Sequence, residues 1–155
     1  MKRATSLCGA VALLLFVAVM SQAPSAADPG DDELAQVLQV KDEDTPAVKT
    51  FKESGKNPYN HDPDAITAGF KLARAYACTH CHAGDLSGLI GPNLTSGNWR
   101  HPRNGTDKGM FQTLYFGTSA GMADWGKRGA LTEDEILKVM AFVRSKYRGK
   151  DITWE

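Results

Sequence analysis

Residues Cys78-Thr79-His80-Cys81-His82 spell C-x-x-C-H, two cysteines three apart with a histidine directly after the second. This is the attachment sequence of a c-type haem, and its spacing has a chemical reason. On one helical turn the two thiols lie close enough to add one to each haem vinyl group. His82 then offers a ring nitrogen to the iron from the same short segment. Other uses of a cysteine pair fit less well. A structural zinc site takes four ligands, and neither a second Cys pair nor a His pair at finger spacing is present. A thioredoxin-type redox pair sits in a strand–helix context, and no βαβ pattern surrounds this one.

Before the motif, Asp62 followed by Pro63 reads as an N-cap and a first helical residue, the position where proline's fixed φ and missing N–H cost least. Ile66, Gly69, Phe70, Ala73 and Ala77 then recur at three- and four-residue steps, which predicts a helix that delivers the chain to Cys78. Gly69 in its middle costs about 1 kcal/mol relative to alanine, and a close crossing by a second helix explains that cost. The last helix is the natural partner. Thr132-Glu133-Asp134-Glu135 is a capping box, and Ile136, Val139, Met140, Val143 and Tyr147 mark one apolar stripe. Acids fill its first turn, Lys146, Arg148 and Lys150 gather at its end as the helix dipole prefers, and Gly149 reads as the stop. The expectation is an all-α fold in which an N-terminal and a C-terminal helix cross beside one haem, joined by long loops.

The stretch from Ala83 to Leu94 holds too many glycines for a long helix. Within it, the carbonyl of Pro92 is placed to accept the remaining N–H of His82, which would fix the ring and raise its basicity; an ordinary turn proline is the plainer reading. Further on, Thr106 is set to cap a short helix carrying Met110, Phe111, Leu114 and Tyr115 and ending at Gly117. Trp99, Arg100 and Arg103 precede it and are candidate donors to haem propionates, with surface positions as the alternative. Candidates for a second axial ligand are Met110, Met122, Met140, His61, His80 and His101. Met140 lies on the core stripe of the last helix, and His80 is inside the attachment motif on the wrong side of the iron. Met122 sits in the irregular loop Gly117-Thr118-Ser119-Ala120-Gly121-Met122-Ala123-Asp124-Trp125-Gly126, whose flexible backbone can push a thioether towards a metal. Met122 is therefore the favoured ligand, with His101 and Met110 as alternatives; His/Met ligation is the electron-transfer arrangement that raises the potential.

The first 27 residues read as a signal peptide. Lys2 and Arg3 form a positive start, Ala10 to Met20 an apolar run shorter than the ~20 residues a membrane span needs, and Ser25-Ala26-Ala27 a cleavage site. Cys8 leaves with it, and export to the periplasm follows. Of 155 residues, 128 then remain, enough for one domain. With Lys2 and Arg3 gone, 16 of the 18 basic residues face 18 acidic ones, so the mature chain is slightly acidic. Nucleic-acid binding, which calls for a basic face, has no support. Residues 28–56 form an acidic arm, with eight acids against four lysines from Asp28 to Asn57. That composition predicts a solvated, partly disordered leader; an arm that wraps the domain or touches a partner is the alternative. The folded domain is expected over 57–155.

Taken together, the Gly69-to-His82 helix, the Gly91-Pro92 turn, the methionine loop and the amphipathic last helix resemble the class I cytochromes c, although the step from the glycine to the first haem cysteine is one residue longer than usual there. Asn57-Pro58-Tyr59-Asn60, Trp99 with Pro102, and Thr106-Asp107 with Gly109, Phe111 and Thr113 narrow the likeness. Gly121-Met122, Arg144 with Tyr147 and Gly149, and Trp154 extend it, all towards the members of that family that accept electrons from quinoprotein methanol dehydrogenase. The resemblance covers roughly Asn57 to the C-terminus. It implies one covalent haem c on Cys78 and Cys81, with His82 and Met122 as axial ligands. It also implies a PQQ-dependent alcohol dehydrogenase as electron donor, of the methanol or a related ethanol type, and a downstream cytochrome or oxidase as acceptor. With both axial positions filled, an electron carrier rather than an enzyme is expected. A five-coordinate haem that binds small ligands or turns over peroxide is the competing reading.

Overall fold

Pro63 and Asp62 start the helix on which the site is hung. In the computed structural model, which describes residues 31–150 and Trp154, Asp62 accepts from the N–H groups of Asp64 and Ala65 (2.9 and 3.0 Å), satisfying two of the first orphan donors. The described elements are α1 (Asp31–Val37), α2 (Pro46–Ser54), α3 (Pro63–Ala75), α4 (Cys78–His82), a 3-10 turn (Pro102–Gly105), α5 (Asp107–Phe116) and α6 (Glu133–Ser145), with no strand among the described residues. The signal-peptide reading of residues 1–27 lies outside them.

The frame is the crossing of α3 and α6. The face α3 buries is Ala65, Gly69 and Ala73, four residues apart, so small side chains let the two helices close up. Phe70 instead lies at the rim, 38% exposed, its ring 5.3 Å from that of Phe142. On α6 the capping box is complete: Thr132 N–H donates to Glu135 Oε2 (2.9 Å) and Glu135 N–H to Thr132 Oγ1 (3.2 Å). Burial extends beyond a stripe. Residues Ile136, Leu137 and Val139 to Arg144 are all buried, because α6 is covered by α3, α2 and α5. The helix stops at Ser145 rather than at Gly149, which lies further on against the ring of Tyr147 where a Cβ would not fit.

Two further expectations change. The helix before the haem motif is not continuous. It ends at Ala75, and Ala77 takes a left-handed conformation (φ 57°), so Cys78–His82 is a separate turn aimed in a new direction. The acidic stretch before Asn57 is folded over its described residues, from Asp31 onward. Leu34, Val48 and Phe51 enter the same core as Phe111, Ile136 and Met140, and Phe51 is fully buried with its ring 4.8 Å from Phe111. The Lys52 side chain is also fully buried, between Asp44 (2.9 Å) and Glu133 (2.7 Å). Burial works against its charge, but those two carboxylates outweigh it and hold the ammonium above the ordinary lysine pKa. Residues 31–54 therefore wrap the domain rather than trailing from it.

One buried charge ties these elements together. Asp107, 1% exposed at the start of α5, accepts from Asn57 N–H (2.8 Å), Asn60 Nδ2 (2.8 Å) and Arg144 Nε (3.0 Å). Arg144 also donates to the carbonyl of Asn104 (3.1 Å) and lies 3.9 Å under the ring of Trp154. Burial lowers the Arg144 pKa, with Asp107 acting the other way.

Candidate haem-binding site

The C-x-x-C-H turn is held by its own backbone. His80 N–H reaches Ala77 O (3.0 Å), Gly88 N–H reaches His82 O (2.9 Å) and Gly91 N–H reaches Cys81 O (2.7 Å), so the following loop folds back on α4. Left-handed non-glycine residues bracket it at Ala77, Ala83 (φ 66°) and Leu86 (φ 63°), a concentration of strain of the kind that surrounding structure must hold at a functional site. Gly91 is required here for a different reason. A Cβ on it would come within 2.7 Å of His82 Cε1 and 2.9 Å of Nδ1, so only glycine lets the loop lie flat against the imidazole.

His82, 8% exposed, has its Nδ1 2.9 Å from the carbonyl oxygen of Pro92. A carbonyl only accepts, so Nδ1 carries the proton and Nε2 is left with a free lone pair. That ring lines a cavity of about 420 Å³ between α4, α5 and the methionine loop. Cys78, Cys81, Met110, Met122, Leu114 and Val143 line it too. Both cysteines are unpaired, Cys78 half-buried and Cys81 exposed. Burial, helped by the neighbouring Cys81, pushes the Cys78 thiol above the usual value in the chain before attachment. Two free thiols at one side, an oriented imidazole, a thioether and a largely apolar wall from Leu94, Met110, Leu114 and Val143 are a set that fits a covalent haem.

The cavity also has a polar end. Trp99, Arg100, His101, Asn104 and Thr113 line it, with Thr113 Oγ1 donating to Asn104 Oδ1 (2.6 Å). Arg103 is not in the wall; its Nε donates to Thr113 Oγ1 (3.2 Å), and burial lowers its pKa. Of the axial candidates, Met110, Met122, His80 and His101 line the cavity, whereas Met140 is fully buried in the core and His61 lies elsewhere. Pro92 and Ile90 also belong to the lining. Asn104 is invisible to sequence reasoning, because a polar residue before a short helix carries no mark of facing a cavity, and Thr113 enters the sequence reading only through the family likeness.

An all-helical frame around a cavity that holds C-x-x-C-H at one side and a methionine loop at another defines a class I cytochrome c. The family model described as cytochrome c oxidase, cbb3-type, subunit III matches residues 64–143. Cytochrome c-L of Methylorubrum extorquens is 37% identical over 126 residues, 79% of this chain and 62% of that protein, so the chain spans less than two thirds of this relative's length. Among solved structures, cytochrome CL from the marine methylotrophic bacterium Methylophaga aminisulfidivorans MPT matches with a TM-score of 0.65 at 40% identity, covering 72% of this chain and 74% of that one. Cytochrome cL from Hyphomicrobium denitrificans matches with a TM-score of 0.64 at 32% identity, covering 74% and 67%. The chain belongs to the cytochrome c family that the matching model describes, and within it to the cytochromes cL. Its cofactor is haem c, covalently bound, and Cys78, Cys81 and His82 form the attachment motif.

Proposed function

We propose that this chain is a periplasmic single-haem carrier that takes electrons one at a time from a PQQ-dependent methanol dehydrogenase and passes them to a downstream cytochrome or oxidase. The observation that carries this reading is the joining of His82 and Met122 in the wall of one cavity, in a chain 40% identical over most of its length to a cytochrome CL. Among the described residues no helix is long and apolar enough to cross a membrane, which is compatible with a carrier that moves between partners.

Each residue has a definite role. Cys78 and Cys81 would hold the haem through two thioether bonds, His82 would ligate one face of the iron through Nε2 and Met122 the other. Pro92 orients the imidazole through its carbonyl. Trp99 and Arg100 would donate to the propionates at the polar end, with Arg103 acting through Thr113. When bound, the haem supplies one reversible electron at iron. With His82 and Met122 both serving as ligands, the iron would have no position left for a substrate, so bond-making chemistry is not expected.

Docking is expected beside exposed Cys81, where Leu89 and Ile90 project into solvent at 74% and 84% exposure. A carrier must leave its partner again, so the interface should bury less than about 1,200 Å². The deciding experiment mixes purified ferric protein with calcium-type and lanthanide-type methanol dehydrogenases and with an ethanol-type quinoprotein, and follows haem reduction. Fast reduction by a methanol dehydrogenase is expected. Reduction only by the ethanol-type enzyme, or a reduced protein that binds carbon monoxide at once, would overturn the reading in favour of another donor or an open coordination site.

A further inference from the structure

We infer that the arm helices α1 and α2 are a brace for the Met122 loop, so that residues 31–54 position the distal side of the haem site although none of them lines the cavity. The inference rests on the reading of Met122 as the distal ligand. The loop has few bonds of its own. Thr118 N–H reaches Met122 O (2.9 Å), Gly121 N–H reaches Thr118 O (3.1 Å) and Met122 N–H reaches Thr118 Oγ1 at a long 3.4 Å, and Gly117 and Gly121 both take left-handed conformations (φ 70° and 101°). A glycine-rich loop with so little internal bonding opens readily unless its ends are fixed.

Its C-terminal end is sewn to α5. Trp125 N–H donates to Leu114 O (3.1 Å) and Lys127 N–H to Tyr115 O (3.0 Å), while Gly126 lies so close to the Tyr115 ring that a Cβ would overlap it. The end of α5 is in turn held from the arm. Phe51 of α2 packs on Phe111 (4.8 Å), and Phe111 stacks on Tyr115 (5.6 Å). Glu33 of α1 also reaches the segment directly, 2.7 Å from Lys127 Nζ, which lies 5.8 Å over the Phe116 ring. Neighbouring Leu34 is 4% exposed and anchors α1 in the core. The brace has its own footing. Lys52 is clamped by Asp44 and Glu133, and Thr45 Oγ1 donates to Asp134 Oδ1 (2.8 Å), so the arm is referred to the first turn of α6. From the rest of the frame, Tyr76 lies edge-on to Trp125 at 5.8 Å, and the Trp125 carbonyl accepts from Ala130 N–H and Leu131 N–H (3.0 Å each). From Phe51 through Phe111 and Tyr115 to the Trp125–Lys127 segment the packed groups are contiguous, which is the physical connection such coupling needs; the open arrangement is what the test below reads.

The test uses full-length holoprotein and free imidazole, which binds ferric iron only when the loop opens. Its apparent affinity therefore scales with the open fraction. Leu34→Ala and Phe51→Leu should raise that affinity about tenfold or more, since each removes packing on which closure depends. Glu33→Lys should raise it about two- to threefold, as befits an exposed pair, and Lys127→Glu in the same chain should restore it. Phe70→Ala, at the rim of α3 and outside this path, should lower unfolding midpoints and leave imidazole affinity unchanged. If the arm variants lose global stability with no gain in imidazole affinity, the arm is ordinary core and the inference fails. Glu33→Lys keeps the question open to measurement should a core variant not fold. The underlying ligand assignment is tested separately by the methionine–iron band in the red. Its absence from the unaltered protein, or its survival in Met122→Ala, overturns that assignment and this inference with it.

Discussion

Gly69 on α3 lies directly against the backbone carbonyl of Lys138 on α6: a Cβ placed there would overlap that oxygen and come within 3.1 Å of Phe142 Cβ. Elsewhere in a helix, alanine in place of glycine is worth about 1 kcal/mol. At this crossing the sign reverses, because the obstacle is backbone that cannot rotate away. Gly69→Ala should lower the free energy of unfolding by about 1–3 kcal/mol, and Gly69→Val by more. Denaturant titration of the holoprotein measures the loss. The folded fraction should keep a normal low-spin spectrum, since neither Gly69 nor Lys138 touches the cavity.

The Asp107–Arg144 pair gives a second prediction with a different signature. Both partners are almost fully buried, at 1% and 5% exposure. Removing one leaves the other charged and unpaired, which costs about 3–5 kcal/mol, whereas replacing both by neutral groups of similar size is much milder. Asp107→Ala and Arg144→Leu should each lower stability by that amount, and the double variant should recover a large share of it. Asp107→Ala should be the worse single change, since it also strands Asn57 N–H and Asn60 Nδ2. A double-mutant cycle in urea gives the coupling directly.

These two contacts mark where the sequence is and is not readable. Gly69 and the Thr132–Glu135 box announce themselves because periodicity and capping act over three or four residues. The C-x-x-C-H turn does so for the same reason. Asp107 does not, since its partners Asn57, Asn60 and Arg144 lie 37 to 50 positions away and no local window contains them. The break at Ala77 is hidden too, because alanine carries no sign of a left-handed conformation and the helical spacing runs straight through it. Averaging hides the fold of the arm. Its acid count points to solvent, while Val48, Phe51 and a clamped Lys52 carry the packing. At the cavity, Trp99 and Arg100 reach the wall, but Arg103 stands one residue behind it on Thr113.

The join between Asn57-Pro58-Tyr59-Asn60 and α6 should be sensitive to pH from both sides. Tyr59 donates to Asp134 Oδ1 (2.9 Å), and burial together with that carboxylate pushes its pKa up to about 12. A pKa raised on folding contributes stability that is complete below the unfolded value of about 10 and lost as pH climbs through the folded one. Wild-type stability should therefore fall between pH 10 and about 12 by more than that of Tyr59→Phe, which has no phenol to ionise. Asp134 behaves oppositely. Burial opposes its charge, but Lys138, Thr45 and Tyr59 hold its pKa below the ordinary carboxylate value, so its contribution is present above that value and lost in acid. Urea unfolding across pH, wild type against Tyr59→Phe and Asp134→Asn, separates the two limbs.

Leu89 and Ile90 give the prediction closest to function. Exposed aliphatic side chains on a mobile loop would tuck away, but this loop is pinned. Leu89 N–H donates to Gly91 O (3.0 Å), Gly91 N–H to Cys81 O (2.7 Å) and Leu94 N–H to Leu86 O (2.9 Å), while Leu86 is 1% exposed and roots the turn in the core. Two apolar side chains are thereby held out beside the haem-bearing Cys81, and from Ala83 to Leu94 the one charged residue is Asp85. Burying each against a partner is worth about 1.5–3 kcal/mol. Replacing either by serine should cut the second-order rate of reduction by the proposed methanol dehydrogenase donor about tenfold, and the Leu89 variant should keep its unfolding midpoint, because that side chain faces water and lies outside the cavity lining. The loss should persist across salt concentrations, since it comes from contact rather than from charge steering. Stopped-flow reduction at low and high ionic strength checks this. An unchanged rate in the double variant Leu89→Ser/Ile90→Ser would move the docking face elsewhere, and a loss confined to low salt would assign it to the charges around the cavity instead.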